Sequence, residues 1–197
     1  MGALVPSQFQ TKTWRLSQAW YTNGRRTECE KYQFRLIQDL FDIKLEKTRL
    51  RLHLSLFEFA EYNVYDWKFD YSETFDAMCV FQNITIFFNF KFICEEGGMQ
   101  TSRLRDAYQF INAQIHSLRT LNKTMFVNIL DGAESHRQMG RFRHLKELTN
   151  AVDDFLFIGD LYTFSDWFPN RFNLYSSDLY AIAAGQGSSK YNPIIVD

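Results

Sequence analysis

Three apolar runs, each too short to cross a membrane, constrain this chain more than any other feature. They are Ile84–Ile93 (ITIFFNFKFI), Met125–Leu130 (MFVNIL) and Phe155–Leu161 (FLFIGDL). A strand buried on both faces reads as a continuous apolar run, because neither side of its pleat meets water. The segments between the runs have helical period. After the Gly97-Gly98 break, Thr101 or Ser102 can cap a helix reaching about Leu118, with Leu104, Ala107, Ile111, Ile115 and Leu118 on one face. Ser135 to about Val152 can form another. Ala77–Phe81 precedes the first run across a Gln82-Asn83 turn, which predicts a hairpin. With Trp67–Tyr71 read as a short strand, the order from Trp67 is β-β-β-α-β-α-β. Apolar strands alternating with helices predict an α/β fold, a mixed sheet covered on both faces.

Upstream, Phe34, Ile37, Leu40, Phe41 and Leu45 predict a helix from Tyr32 to about Lys47. Leu50, Leu52, Leu54 and Leu56 alternate with Arg51, His53 and Ser55, which predicts a strand within Thr48–Phe59; Leu50, Leu54 and Phe57 also fit a helical face. The segment before Tyr32, with a turn at Asn23-Gly24 and the pair Arg25-Arg26, reads as an arm. The stretch from Ala184 (AGQGSSKYNPIIVD) reads as a flexible tail.

A chain of 197 residues is long enough for one well-filled core. Its net charge of −1 advertises no overall positive field, although a local basic groove can sit on a neutral protein. The three cysteines, Cys29, Cys79 and Cys94, form no CxxC, and no signal peptide is evident, so a reducing, cytoplasmic setting is expected. Cys79 and Cys94 fall in predicted strands and are expected to be buried. No membrane partner is expected, and no Cys/His spacing suggests zinc. Neither GxGxxG nor GxxxxGK[ST] follows a strand, and no GxSxG is present. Asp131 and Asp160 each end a buried run and read as turn or helix-capping residues.

One constellation carries chemistry. Asp76 opens the hairpin, and Asn89-Phe90-Lys91 lies inside the apolar strand that follows. Side chains alternate along a strand, so Asn89 and Lys91 point the same way, toward Asp76 if the two runs pair. A lysine among Phe87, Phe88, Phe90, Phe92 and Ile93 is costly without a partner or a role. An acid, an amide oxygen and a lysine brought together can hold a divalent cation and its water. The ordinary alternative is that Asp76 caps a turn and Lys91 snorkels from, or blunts, an edge strand.

The acid, the hairpin, the N-x-K spacing and the following helix and strand resemble the PD-(D/E)xK nuclease superfamily, and within it type II restriction endonucleases. The resemblance covers roughly Trp67 to Leu161. It implies a restriction-endonuclease-like mixed central sheet flanked by helices. It implies hydrolysis of double-stranded DNA with Mg2+, a homodimer and a companion DNA methyltransferase. The implied divisions are residues 1–60, an arm and mainly helical part serving dimerisation or DNA contact; 61–183, the nuclease core; and 184–197, the tail. Asp76 would be the principal metal ligand, with Asn89 and Glu73 assisting, and Lys91 would orient or deprotonate the attacking water or stabilise the charged transition state. The family carries Asp or Glu where this chain has Asn89, which brings no charge; Glu58, Glu61, Glu95 and Glu96 are further candidates for a compensating carboxylate.

Backbone contacts to DNA are expected from Gln100, Thr101, Arg103 and Arg105 at the start of the helix after Lys91, where free amides favour phosphate. Arg137 and Arg141, in the basic run HRQMGRFRHLK, are expected to track phosphates from another helix. Ordinary capping and a solvated charged face account for the same residues. Three rival readings stay open: a degenerate DNA-binding module of the same fold, an unrelated phosphoryl-transfer enzyme, and a structural protein.

Overall fold

The computed structural model describes residues 4–21, 27–66, 69–148 and 154–174. From the N-terminus the chain forms a 3-10 turn (Ser7–Phe9), α1 (Lys12–Leu16), α2 (Glu28–Phe41), β1 (Leu50–Leu52), β2 (Phe59–Glu61), β3 (Ala77–Phe81), β4 (Ile84–Phe92), α3 (Gly98–Ser117), β5 (Thr124–Asp131), α4 (Ala133–Leu148), β6 (Leu156–Gly159) and α5 (Leu161–Phe172). The last four strands make one mixed sheet in the spatial order β3-β4-β5-β6. β3 and β4 are antiparallel, whereas β4–β5 and β5–β6 are parallel. Gln82 and Asn83 both take positive φ (46° and 62°), the two-residue turn whose twist matches a hairpin.

The alternation of β4 sorts its side chains into two cores. Ile86, Phe88 and Phe90 pack with Leu36, Ile37 and Leu40 of α2 and with Phe164 and Phe168 of α5. Phe87 packs with Phe110 and Ile111 of α3, Phe142 and Leu145 of α4, and Phe126 and Leu156 of the neighbouring strands. Helices therefore cover both faces, as the apolar strands require. Cys29, Cys79 and Cys94 are all buried free thiols.

Several local expectations shift. The first long helix starts at Glu28 and stops at Phe41, because Asp42 turns left-handed (φ 50°) and the Leu45 amide donates to Gln38 Oε1 instead of a helical carbonyl. The alternating leucines do not form one strand. The chain reverses around Leu54–Leu56, Phe57 takes φ 59°, and β1 pairs with β2 as a small antiparallel sheet, Leu52 opposite Phe59. The first sixty residues are thus mixed and not mainly helical. Of the Trp67–Tyr71 strand, Trp67 and Lys68 lie outside the described residues, and Tyr71 makes a lone bridge to His53. Arg25-Arg26 and the tail from Ala184 also lie outside them, as do 149–152 at the end of the helix expected from Ser135.

α5 was not expected from the sequence. Its signal is nonetheless there: Asp160 accepts the Thr163 amide at 2.8 Å as an N-cap, and Leu161, Phe164, Phe168 and Phe172 follow at helical spacing. Among the described residues, no helix is long and apolar enough to cross a membrane.

Candidate active site

The site forms where the chain leaves one sheet for the other. The Phe75 amide donates to the Leu50 carbonyl of β1 at 2.9 Å; the next amide, of Asp76, donates to the Phe88 carbonyl of β4 at 2.9 Å. Beyond this point β4 has no strand on its β3 side, and the Phe90 amide would lose its partner. The Asp76 carboxylate accepts it, Oδ2 to N 2.6 Å. Asp76 thereby brackets Asn89, its amide on one neighbour and its carboxylate on the other. A diverging pair of strands thus presents an acid at a fixed place, held by backbone.

Lys91 Nζ stands 2.6 Å from Glu73 Oε1; the lysine side chain is 11% exposed and the glutamate 41%. Burial by itself would lower the lysine pKa, but Glu73, Asp76 and Glu30 outweigh it and raise it above the ordinary value. Lys91 is therefore an ammonium at neutral pH. A lysine base with a lowered pKa, one of the roles open to it on sequence, does not fit this charge environment.

Asp76 behaves in the opposite way. Burial pushes its pKa up to about 7, against the lowering effects of Lys91 and the Phe90 amide, with Glu30 and Glu73 adding to the rise. Burial likewise raises Glu30, whose charge is favoured by Lys91 and Arg103 and opposed by Glu73. Three carboxylates thus share one environment with Lys91 and Arg103. Glu30 escaped the sequence reading because the helix was expected to begin at Tyr32, leaving Glu30 in the arm. The acidic first turn after Thr27 marks the true start.

Asn89 is fully buried. Its Nδ2 donates to Asn128 Oδ1 at 3.1 Å, and Asn128 exchanges two hydrogen bonds with Gln114 of α3, at 2.7 and 3.1 Å. Its own Oδ1 has no hydrogen-bond partner among the described residues. The amide is thus oriented by a core network that leaves one buried oxygen unmatched, an expensive arrangement unless something else uses it.

Asp76 opens onto a groove of about 460 Å3 with Glu30, Lys31, Phe34, Arg35, Lys47 and Thr48 in its walls. Of the residues expected to meet DNA, Arg103 lies near Glu30 at the start of α3. Arg105 is exposed. Gln100 and Thr101 are in the first turn of the same helix, with side chains outside the described residues. Arg137 is engaged elsewhere, paired with Glu96 at 2.7 Å and with Glu134 at 2.6 Å. Arg141 is exposed on α4, and neither it nor Arg137 lines the groove. Arg51 is buried between Tyr62 and Tyr71 and paired with Asp66, a packing role.

The two strand-end aspartates are occupied by structure. Asp131 accepts from Gln33 Nε2 (2.7 Å), Ser7 Oγ and the Leu161 amide (both 3.2 Å), while Asp160 accepts the Ser7 amide at 2.9 Å. The N-terminal segment is tied to the carboxyl ends of β5 and β6 through Ser7, beside a cavity of about 710 Å3 lined by Ser7, His136, Arg143 and Asp160.

Among the described residues no group of three or more His, Cys, Asp or Glu side chains is arranged to cage a metal ion. Mg2+ needs less: it binds through one or two carboxylates and keeps waters and substrate oxygens for the rest. Asp76 keeps its Oδ1 outside the Phe90 bond, and Asn89 keeps an unmatched buried oxygen. A carboxylate and an amide oxygen are donors of the kind Mg2+ takes. Comparison with protein-family models, curated proteins and solved structures finds no match to this chain.

Proposed function

We propose that this chain is a Mg2+-dependent endonuclease that hydrolyses phosphodiester bonds of double-stranded DNA, of the restriction-endonuclease-like kind. The observation that supports it most is the buried Lys91 ammonium among Asp76, Glu73 and Glu30, where β3 and β4 part, with Asp76 and Glu30 also lining a groove. Isolated, such a cluster is a poor way to stabilise a fold, because desolvating the charges offsets their attraction.

In this reading Asp76, with Glu73 and the Asn89 oxygen assisting, would hold Mg2+, and the ion would supply charge neutralisation at the phosphate and a more acidic water. Lys91, kept protonated by its carboxylates, stabilises the extra negative charge on the phosphoryl oxygens as the water oxygen bonds to phosphorus and the ester oxygen leaves. Glu30, which lines the groove with Asp76 and is made more basic by burial, would take the proton released by the water. The leaving oxygen takes a proton from solvent.

A degenerate DNA-binding module of the same fold is the second reading. The uncharged Asn89, tied to Asn128 in the core, favours it. Supercoiled plasmid incubated with folded protein in Mg2+ or EDTA separates the two. Nicked or linear product that requires Mg2+ and disappears in Asp76→Asn and Lys91→Ala supports the enzyme. DNA retention with no cleavage in Mg2+ or Mn2+ supports the module.

A further inference from the structure

The groove beside Asp76 is lined by side chains of both charges. Glu30 and Asp76 supply acidic side chains to its lining; Lys31, Arg35 and Lys47 supply basic ones, with Thr27 and Thr48 beside them. The helix repeat is the cause. Thr27, Lys31 and Arg35 recur every four residues of the same face that carries Glu30 and Phe34. All three cations are exposed. Lys31 has only a long contact to Glu28, 3.9 Å. Arg35 donates Nε to the Lys31 carbonyl, and neither it nor Lys47 has an ion-pair partner among the described carboxylates. By contrast Arg137 on α4 is neutralised by two glutamates.

A row of exposed cations without ion-pair partners, in the same groove as Asp76, suits a polyanion whose charges repeat along a strand. We infer that Lys31, Arg35 and Lys47 hold the sugar–phosphate backbone of bound DNA as it leaves Asp76, so that the duplex runs along α2 and not along the arginines of α4. The inference rests on the phosphodiester reading of Asp76 and Lys91. It assigns the phosphate contacts to residues that the sequence did not single out.

The test is fluorescence anisotropy of a labelled duplex oligonucleotide in EDTA, on an Asp76→Asn background that removes the proposed metal ligand, titrated from 50 to 200 mM NaCl. Each phosphate contact contributes about 0.9 to the slope of log affinity against log salt, so three contacts account for about a forty-fold loss across that range. Lys31→Gln/Arg35→Gln/Lys47→Gln is expected to lower the slope by two to three while circular dichroism stays unchanged. The competing surface is tested with Arg141→Gln/Arg143→Gln. An unchanged slope in the α2 variant, or a fall only in the α4 variant, overturns the inference even if the wild type cuts plasmid. No salt-dependent binding by the Asp76→Asn protein overturns it as well. A lowered slope without any cleavage by wild type leaves the α2 path standing and removes only the nuclease.

Discussion

The Asp76 carboxylate accepts the Phe90 amide at 2.6 Å, standing where a strand carbonyl would stand if β3 continued. One residue thus finishes the sheet and keeps an oxygen for other use. Burial holds its pKa at about 7, so the folded protein binds more protons than the unfolded chain between about pH 4 and 7. Stability therefore falls as pH rises through that window. Asn at this position can still accept the Phe90 amide and carries no charge. Asp76→Asn should be more stable than wild type at pH 8, by on the order of 2–3 kcal/mol, with the difference fading toward pH 4. Urea melts at both pH values check this; a variant less stable at pH 8 contradicts the account.

Mg2+ should bind the ionised form of Asp76 only. Added Mg2+ should raise the wild-type melting temperature near pH 7 and pull the Asp76 titration downward, with no such effect in Asp76→Asn. Differential scanning fluorimetry with a Ca2+ comparison reads this without any substrate. Equal shifts in both proteins would place the ion elsewhere.

Lys91 is the main cation lowering Asp76. Lys91→Met should move the Asp76 titration above about 7, and Lys91→Arg should hold it near the wild-type value. Carboxyl carbon NMR follows the group directly. The Met variant also leaves Glu73 and Asp76 without their counter-charge, at a cost of about 2 kcal/mol given that Glu73 is partly solvated.

Asn89→Asp restores the charge that the nuclease pattern lacks. It also sets a carboxylate against Asn128 Oδ1 in a fully buried position. The variant should bind Mg2+ more tightly and yet be less stable without metal, by about 2–4 kcal/mol at pH 8, with the deficit shrinking as acid protonates the new carboxyl. Paired melts with EDTA and with Mg2+ measure both effects. Tighter Mg2+ binding is the discriminating half: without it, Asn89 is a core residue and no ligand.

Gly132 ends β5 at φ 99°, and a Cβ there would come 2.2 Å from the Ile93 carbonyl oxygen. Its amide donates to Gln10 Oε1 at 2.8 Å, which anchors the N-terminal segment. Gly132→Ala should cost about 3 kcal/mol or more, because both the dihedral and the backbone contact resist a side chain. A denaturant midpoint close to wild type would show that the turn relaxes.

The hairpin, both parallel strands, the helices between them and the buried thiols of Cys79 and Cys94 were legible in the sequence, because periodicity and burial are written locally. So was the need of Lys91 for an acidic partner, since a lysine inside an apolar strand is costly alone; that partner is Glu73, with Asp76 nearby in charge. Glu30 and α5 left local signals too, an acidic first turn and an N-cap with spaced aromatics, which a helix expected from Tyr32 and a strand expected to end at Leu161 passed over. Tertiary structure alone decided the rest. The charge of Lys91, the titration of Asp76 and the neutralised state of Arg137 depend on which groups lie a few ångströms away and on how much water is excluded between them. Those distances are set by packing between residues remote in the chain: α2 against the end of β4, β1 against the chain before Asp76, and Glu96 against α4. Sequence pattern reports which side of an element is buried; only the assembled fold determines which charges share that interior.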